Sequence, residues 1–411
     1  MDSFKHLSKF AFIAFTVLHY VNGGAQSLPA FQTSNTSYRP LSLDKFLDEL
    51  SQDSPTLRIK ELGVKSATSV ASQAGRPNLN PILTYARGSI YTQAPYTGYT
   101  NPSSNTVGAT VTVEGWGKRS AREAQAQAEL NRQLADSMSE KRSLETQAIF
   151  AYIDALRTKL LWQSYQEGLN NLANIKSNEA AQTKTEYISA QNVLSNDLKY
   201  YSLGLMNYLG SHEKSLPLPL GSLNIPEQSF DTSELVNNAL EKREDIKLYK
   251  ASIASANANL DVIKAGKGPD FLPGVYYTET PPYDTGGISY GTQKSFSFLL
   301  SIPIGNGFLN NSDLIAGSNA VIEHEINLSA SKTKIYTEIN QTYLQYEAAK
   351  LRLSNANKAY NAAKTANLKT IQGITHLREA EYELIDARTV HTKTLILLKR
   401  LSGDFEAPNL H

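Results

Sequence analysis

Histidines and carboxylates at short spacings are the residues most able to bind metals or catalyse reactions, and this sequence has few such groups. The chain has 411 residues, seven histidines and no cysteine. No two histidines stand four residues apart, the spacing that puts two metal ligands on one helix face. Glu323-His324-Glu325 is typical of an exposed, charged helical turn, and a single helical histidine is more often structural than a ligand. The sequence therefore predicts no metal site.

Two glycine-containing turns are the nearest approach to a phosphate-binding loop. Gly115-Trp116-Gly117 and Gly305-Asn306-Gly307 both lack the P-loop spacing, in which a second glycine, a lysine and a hydroxyl residue follow the first glycine at fixed positions. Lys118, Arg119 and Arg122 are instead expected at a junction between a strand and a helix. No acid–base pair or activated nucleophile is evident, so we predict a protein that is not an enzyme and needs no cofactor.

Composition narrows the class of protein further. The net charge is +1, whereas nucleic-acid binders need a basic face to neutralise phosphates. The absence of cysteine excludes disulfides, thiolate metal sites, a cysteine nucleophile and a cysteine for lipid attachment. We therefore expect no nucleic-acid partner and no acyl anchor.

The N-terminus has the pattern of a secretory signal peptide over residues 1–25. Lys5 and Lys9 precede a mostly apolar run from Phe10 to Val21, and Gly23-Gly24-Ala25 supplies small residues for cleavage before Gln26. The alternative is an ordinary buried helix. Residues 26–40 are polar and are expected to form an extended arm.

The rest of the chain contains no run of about 20 apolar residues, the length that a membrane-spanning helix needs. An exported protein without such a helix is either soluble or crosses a membrane as a closed β-barrel, which also satisfies every backbone amide. The strand patterns decide between these two possibilities.

The same order of parts occurs twice, at residues 41–210 and 230–403, with an offset of roughly 190 residues. Each copy is predicted to contain a helix, a β-hairpin (about 82–114 and 273–303), a very long helix and a return helix. Tyr152 aligns with Tyr343 in this comparison. A linker at 211–229 joins the copies and a tail at 404–411 ends the chain. The fold class is mainly α with a β part, built by tandem duplication.

The second strand of each hairpin alternates between apolar and polar residues, which gives the strand one apolar face. Such a face could cover a soluble core, the commoner case, or could face lipid, because membrane barrel strands have about 10 residues with the same alternation. Tyrosines in the intervening loops suit an aromatic girdle. The predicted lipid-facing residues are Val107, Ala109, Val111, Val113, Phe296, Phe298, Leu300 and Ile302.

Two helices of unusual length follow the hairpins, from near Gly117 to about Lys176 and from near Asn311 to about Lys369. At 1.5 Å per residue the first would extend about 90 Å. Their apolar stripes are narrow and spaced by three and four residues, the pattern of coiled-coil packing with water nearby. Return helices are expected at Tyr187 to Leu209 and at Leu377 to Leu401.

This layout resembles the TolC-like outer-membrane efflux proteins over almost the whole mature chain. The resemblance is carried by the repeated helix segments at Ala151-Tyr152 and Thr342-Tyr343, and by the proline-started strands at Pro81 and Pro273. The strand-to-helix turns at Gly115 to Arg119 and at Ile302 to Gly307 add to it, as does Gln372-Gly373-Ile374 before the last helix. Each motif is weak alone, and their repeated order is the stronger signal.

The resemblance implies a homotrimer in the bacterial outer membrane, extending into the periplasm. Each subunit would give four strands to a shared twelve-stranded transmembrane β-barrel and its long antiparallel helices to a periplasmic α-barrel. The partners would be the lipid bilayer, a periplasmic adaptor protein and an inner-membrane transporter. The strand count, without the resemblance, supports oligomerisation. Four strands cannot close a barrel around a useful lumen and must pair their edges with other subunits.

The family's helix tips bind the adaptor, and the resemblance places them near 178–186 and 371–379. Gly373 fits the family's tip glycine, and Ala180 departs from it in the first copy. Glu179, Glu186, Glu379 and Glu381 are candidates for contacts between subunits; the alternative is an ordinary solvated helix end. The predicted adaptor-facing residues are Ala180, Thr183, Lys184, Thr185, Gly373, Ile374, Thr375, His376, Leu377 and Arg378.

Two functions from different classes remain open on the sequence. The leading prediction is a passive exit duct of a tripartite efflux or type I secretion system. The alternative is a soluble periplasmic adaptor or coiled-coil scaffold, whose strands would form compact soluble domains. An exported enzyme is a third possibility, without a catalytic grouping to support it.

Overall fold

The computed structural model describes residues 37–89, 92–94, 98–100, 103–210, 215–285, 287–303, 311–365, 370–405, 408 and 410. All of them belong to one compact unit, Ser37–His411. The predicted signal peptide, residues 26–36 of the predicted arm and Gly305-Asn306-Gly307 lie outside the described residues. Of the helices in the described parts of the chain, none combines the length and apolarity that crossing a bilayer requires.

The order of elements in the first half of the described chain recurs in the second half. Each half has two consecutive helices, a hairpin with a short ribbon at its tip, a long helix and a return helix. The first half comprises β1 (Tyr38–Leu41), α1 (Leu43–Asp53), α2 (Pro55–Ala74), β2 (Ile82–Ser89), β3 (Thr92–Ala94), β4 (Gly98–Thr100), β5 (Ser103–Thr110), α3 (Lys118–Leu172) and α4 (Asn178–Leu209). The second comprises β6 (Leu216–Pro219), α5 (Thr232–Lys242), α6 (Glu244–Gly266), β7 (Leu272–Thr280), β8 (Tyr283–Thr285), β9 (Ile288–Tyr290), β10 (Gln293–Ser301), α7 (Ser312–Lys364) and α8 (Ile371–Leu401).

Each helix predicted ahead of a hairpin is in fact two helices. In the first half Pro55 opens α2, and the break falls at Ser54. Proline is compatible with the first helical position, where its missing N–H has no helical partner, but it would break a helix interior. In the second half the break falls at Arg243, between α5 and α6. The two long helices also end earlier than predicted, at Leu172 and Lys364.

The four long strands form one antiparallel sheet with the order β10-β7-β5-β2. The hairpins β2–β5 and β7–β10 are joined by the pairing of β5 with β7, in which Val107 lies opposite Tyr277 and Ala109 opposite Val275. Within the described part of the chain, β2 and β10 each have one unpaired edge. The sheet is therefore open on both sides.

The helices follow the order of the strands. Near the sheet, α3 packs between α2 and α6, and α6 packs against α7, which gives the order α2, α3, α6, α7. In the half farther from the sheet, α4 and α8 take the places of α2 and α6, and the order becomes α4, α3, α8, α7. The same two edges therefore continue from the strands into the helices, with β2, α2 and α4 on one side and β10 and α7 on the other.

The largest buried cluster surrounds Tyr152, where α1, α3, α4 and the linker meet. The Tyr152 hydroxyl lies 2.7 Å from the carbonyl oxygens of Leu41 and Leu220 and accepts a hydrogen bond from the Leu220 amide at 2.9 Å. In the second half, Tyr346 does the same with the amide and carbonyl of Gln228, both at 2.9 Å. The predicted alignment of Tyr152 with Tyr343 is thus wrong by three residues, because the equivalent hydroxyl is that of Tyr346.

Candidate membrane interface and helix tips

One face of the sheet is apolar across all four strands. Residues paired between neighbouring strands share a face, so the pairings define transverse rows. One row contains Phe296, Tyr277, Val107 and Tyr85, and the next contains Phe298, Val275, Ala109 and Leu83. Phe298 is 88 % exposed and Leu83 is 85 % exposed. Nothing in the described chain covers this face.

The predicted lipid-facing residues of both hairpins lie on this apolar face. Val111, Val113 and Ile302 lie just past the ends of β5 and β10, whose helical neighbours begin soon after. Val113 remains paired, because its amide and carbonyl exchange hydrogen bonds with Phe271 at 2.7 and 2.9 Å. The residues of β2 and β7 on this face were not among the predicted lipid-facing residues, although the spacing of Leu83 with Tyr85 and of Val275 with Tyr277 gives the same period-two signal. Contact with lipid stays a prediction.

The opposite face of the sheet is polar and carries no charge among the described strand residues. Serines and threonines from all four strands make up half of it, and the Thr106 and Thr278 hydroxyls lie 2.9 Å apart. Tyr276 lies over Gly108, where a Cβ atom would come within 2.2 Å of its ring. Such cross-strand pairs of glycine and aromatic residues help to fix strand register. The charged residues of the strands, Lys294, Glu279 and Arg87, instead share a row with Asn105 at the loop end of the apolar face.

Two ion pairs mark the junction where the sheet meets the helices, as the sequence predicted for Lys118 and Arg122. Arg122 binds Glu114, and Lys118 lies 2.8 Å from Asp270. The hydrogen bond from Arg122 lowers the pKa of Glu114, and the one from Lys118 lowers the pKa of Asp270, because each favours the charged carboxylate. Asp270 also accepts a hydrogen bond from the Gly115 amide at 2.9 Å. Glu114 follows β5 and Asp270 precedes β7, so an ion pair stabilises the junction at each of the two central strands.

The predicted helix tips are wrong in position. Residues 178–186 and 371–379 are the first turns of α4 and α8, and the turns between helices lie before them. The reason is N-capping: Ser177 Oγ accepts a hydrogen bond from the Ala180 amide at 3.0 Å, and Thr370 Oγ1 accepts one from the Gly373 amide at 3.1 Å. Gly373 is therefore a residue of the first helical turn and not of a connecting turn.

Three residues predicted to face an adaptor are buried in the chain itself. Ala180 is 0 % exposed, Ile374 is 1 % exposed and Arg378 is 5 % exposed. Ile374 packs with Leu172 and Tyr187 in one apolar cluster, which brings the starts of α4 and α8 together. These three side chains therefore stabilise the ends of the helices and are not available to a partner. The other residues predicted to face an adaptor are at least partly exposed: Thr183, Lys184, Thr185, Gly373, Thr375, His376 and Leu377.

The buried guanidinium of Arg378 is fixed by α3. Its carbon lies 3.9 Å from the centroid of the Tyr165 ring, a cation–π contact. It donates a hydrogen bond to the Ser164 hydroxyl and lies 3.6 Å from Glu381. Ser164 in turn donates to Glu381. Glu381 thus forms contacts within the subunit, although the sequence suggested it for a contact between subunits.

Asp386 connects three helices through two arginines. Its two carboxylate oxygens lie 2.8 Å from Arg157 of α3 and 2.7 Å from Arg352 of α7. Arg352 is also bound by Glu383, and the two carboxylates together raise its pKa. No local pattern indicated this group, because Arg157 and Asp386 are 229 residues apart along the chain.

We expect Asp386→Asn to lower the free energy of unfolding by about 1–2 kcal/mol, because two partly buried guanidinium groups lose a shared carboxylate. Glu383→Gln is the matched control, with an expected cost of about 0.5 kcal/mol, because Glu383 is more exposed and binds one arginine only. Thermal unfolding of both variants followed by circular dichroism measures the difference. Equal costs for the two variants would contradict the connecting role of Asp386.

The histidines do not form a metal site in the part of the chain that the structure describes, where no group of three or more histidine, aspartate or glutamate side chains could hold an ion. His391 is fully buried and packs against Tyr346 with 5.4 Å between ring centroids. Burial lowers its pKa, which favours the neutral imidazole. His376 is exposed at the start of α8.

Comparison with solved structures gives the same arrangement in several channels. The outer membrane protein VceC from Vibrio cholerae has a TM-score of 0.60 at 15 % identity, with 88 % of this chain and 96 % of that chain covered. The CmeC outer membrane channel of Campylobacter jejuni has a TM-score of 0.64 at 13 % identity, with 89 % and 86 % covered. The open state of the MtrE outer membrane channel of Neisseria gonorrhoeae has a TM-score of 0.64 at 16 % identity, with 89 % of both chains covered.

No protein-family model matches the sequence, and no curated protein matches it. At identities of 13–16 %, the likeness to the solved channels establishes the fold. The mostly helical architecture, with one four-stranded sheet and three two-stranded sheets among the described residues, agrees with the mainly α fold class predicted from the sequence. The resemblance to the TolC-like outer-membrane efflux proteins is confirmed at the level of the fold.

Proposed function

We propose that this protein is the outer-membrane exit duct of a tripartite efflux or type I secretion system. It would lie in the outer membrane of a Gram-negative bacterium, extend into the periplasm and conduct solutes passively to the exterior. The observation that carries the proposal is the sheet, which has one face that is apolar up to a charged row at its loop end and another face without charge. A strand with one side in lipid and the other in a water-filled lumen requires this division.

The oligomer follows from the two open edges. Unpaired strands at an exposed sheet edge are unfavourable in lipid, so β2 of one copy would pair with β10 of the next until a ring closes. The helices on the same two edges carry most of the exposed large apolar side chains of the described helices. These are Ile59, Leu62 and Val70 on α2, Ile188, Val193, Tyr200 and Leu203 on α4, and Ile315, Ile322, Ile326, Tyr336, Leu344 and Leu351 on α7.

A homotrimer is the ring that the resemblance implies, with twelve strands in the barrel and the long helices in a periplasmic α-barrel. A tandem duplication would account for the recurring order of elements and for the equivalent hydroxyl contacts of Tyr152 and Tyr346. Such a subunit presents two similar halves around the ring, so three copies give six similar units.

A periplasmic adaptor would bind at the starts of α4 and α8. Thr185 and His376 are exposed there, and Lys184 is partly exposed. The clustering of Tyr187 with Ile374 brings the two helix starts into one surface. An inner-membrane transporter would supply the energy for transport, because the duct itself has no catalytic grouping among the residues described.

A soluble adaptor or scaffold is not favoured as the function. Its strands would bury their apolar faces in compact domains, whereas Phe296 and Phe298 are 80 % and 88 % exposed here. An exposed apolar area of this kind needs a partner of its own, and lipid supplies it.

The test is the behaviour of the exported protein in unheated SDS gels. We expect outer-membrane fractions to contain an oligomer at about three times the mass of the chain, because closed barrels resist SDS until heated. Boiling should convert it to a band near the chain mass of 45.2 kDa. Recovery of the mature protein as a monomer in detergent-free buffer would overturn the proposal.

A further inference from the structure

The connection between the sheet and α3 exposes an indole ring to an unusual extent. Trp116 is 94 % exposed, more than any other large apolar side chain among the residues described. Aromatic side chains of this size usually bury most of their surface. The exposure therefore indicates a partner outside the chain.

The turn that presents Trp116 is rigid. Gly117 has a φ of +84°, which favours glycine, and a Cβ atom on Gly115 would come within 2.2 Å of the Pro269 carbonyl oxygen. The Gly115 amide is bound to Asp270, and the Lys118 amide donates to the Gly115 carbonyl at 3.3 Å. Two glycines and two hydrogen bonds thus hold the backbone on both sides of the tryptophan.

Trp116 lies at the end of the apolar face. Phe271 and Val113 form the last pair of that face, in the same alternation as Val275 and Ala109. The rings of Trp116 and Phe271 have centroids 6.2 Å apart at 62°, an edge-to-face contact. Immediately beyond them lie the ion pairs of Lys118 and Arg122, so the surface changes from apolar to charged at this level.

The opposite limit of the apolar face is the row of Lys294, Glu279, Asn105 and Arg87. From Lys294 to Ile302 the chain advances eight residues, or about 26 Å at the rise of a β-strand. Because strands in a barrel are tilted, this length corresponds to a height of about 20 Å along the barrel axis. That height is close to the apolar band of about 25 Å in membrane barrels. The two limits therefore bracket one bilayer core.

We propose that Trp116 lies at the inner boundary of the membrane, where its indole ring contacts the headgroup and upper acyl region of inner-leaflet phospholipids. This rests on the proposed function. Tryptophan favours the membrane–water interface because its ring is apolar and its N–H is polar. Arg119, exposed in the first turn of α3, adds a cation at the same level for lipid phosphates. Trp116 lies in the segment that connects β5 to α3, both of which are central in their layers. A neighbouring copy that pairs at the sheet edges would therefore not cover it.

The chain offers a direct test, because it has two tryptophans, Trp116 and Trp162. Trp162→Phe leaves Trp116 as the only indole fluorophore in the oligomer reconstituted into phosphatidylcholine vesicles. We expect lipids brominated near the headgroup to reduce its emission at least about twofold, and lipids brominated deep in the acyl chains to reduce it less.

Trp116→Phe is the matched control and leaves Trp162, about 66 Å along α3 from the start of the helix. Its emission should not respond to either brominated lipid. Phe298→Trp, in a chain lacking both native tryptophans, reports the middle of the apolar face and should respond more to the deep bromines. Each variant is first checked for the heat-sensitive oligomer in SDS, so that only assembled protein is compared.

The outcomes separate the two proposals. Quenching of the Phe298→Trp variant without quenching of Trp116 would overturn the interfacial role and leave the duct intact. Stronger quenching of Trp116 by the deep bromines would also overturn it, because the ring would then lie in the hydrocarbon core. Absence of quenching in both would overturn the proposed function itself.

Discussion

Phe298→Arg is expected to abolish the membrane-embedded oligomer, whereas Ser297→Arg, one residue away, is expected to leave it assembled. Adjacent residues of a strand point to opposite faces. Phe298 is in the middle of the apolar face, opposite Val275, and Ser297 is on the polar face, opposite Tyr276. An arginine on the lipid side near the bilayer midplane costs about 2–4 kcal/mol, and in a ring this cost applies to every copy.

The measurement is the amount of heat-sensitive oligomer in outer-membrane fractions, with the total amount of exported chain determined in parallel. The Ser297→Arg variant controls for the size and charge of the new side chain, because both positions lie in the same strand, β10. Ser297→Arg should change conductance and not assembly, because it adds a charge to the lumen of the proposed duct. Equal loss of oligomer in both variants would show that the two faces are not divided between lipid and water.

The sequence was sufficient to predict the two hairpins because their information is local. Alternation in β5 and β10 depends only on neighbouring residues, and the apolar face they define is the face found in the sheet. The order of the four strands is a different matter. Pairing of β5 with β7 joins residues about 170 positions apart, such as Thr106 and Thr278, and no local pattern encodes it.

The helix tips show how a boundary can be misplaced even when the helices are correctly predicted. The family resemblance assigned Gly373 to a tip, but a cap three residues earlier decides where the helix begins. Ser177 and Thr370 are residue types that favour N-cap positions. The turn positions could therefore have been predicted from N-cap chemistry, although the burial of Arg378 beneath Tyr165 could not.

The error of three residues at Tyr343 has another cause. Tyr343 and Tyr346 are three residues apart on α7, and such residues share a side of a helix, so apolar periodicity does not choose between them. The choice is made by the linker, whose Gln228 backbone binds the Tyr346 hydroxyl. A contact with an irregular segment leaves no periodic signal in either partner.

Tyr152→Phe is expected to lower the free energy of unfolding by about 2–3 kcal/mol, because the hydroxyl satisfies buried backbone groups of two segments. Without it, the Leu41 and Leu220 carbonyls lose the hydroxyl between them, whereas the Leu220 amide keeps its hydrogen bond to the Leu41 carbonyl at 3.0 Å. Tyr346→Phe is expected to cost about 1–2 kcal/mol, because the Tyr346 hydroxyl serves Gln228 alone. Tyr200→Phe, at a side chain that is 73 % exposed, controls for the substitution and should have little effect.

The cost of Tyr152→Phe should also depend on pH. Burial raises the pKa of Tyr152 to about 12, above its ordinary value of 10.0. A raised pKa means that the folded state favours the protonated hydroxyl, so its contribution is complete below pH 10 and is lost as the pH rises towards 12. Two pH units correspond to about 2–3 kcal/mol. Denaturant unfolding at a fixed protein concentration should therefore show the wild type and Tyr152→Phe converging between pH 10 and 12. A gap that stays constant over this range would show that the hydroxyl does not carry the stability assigned to it.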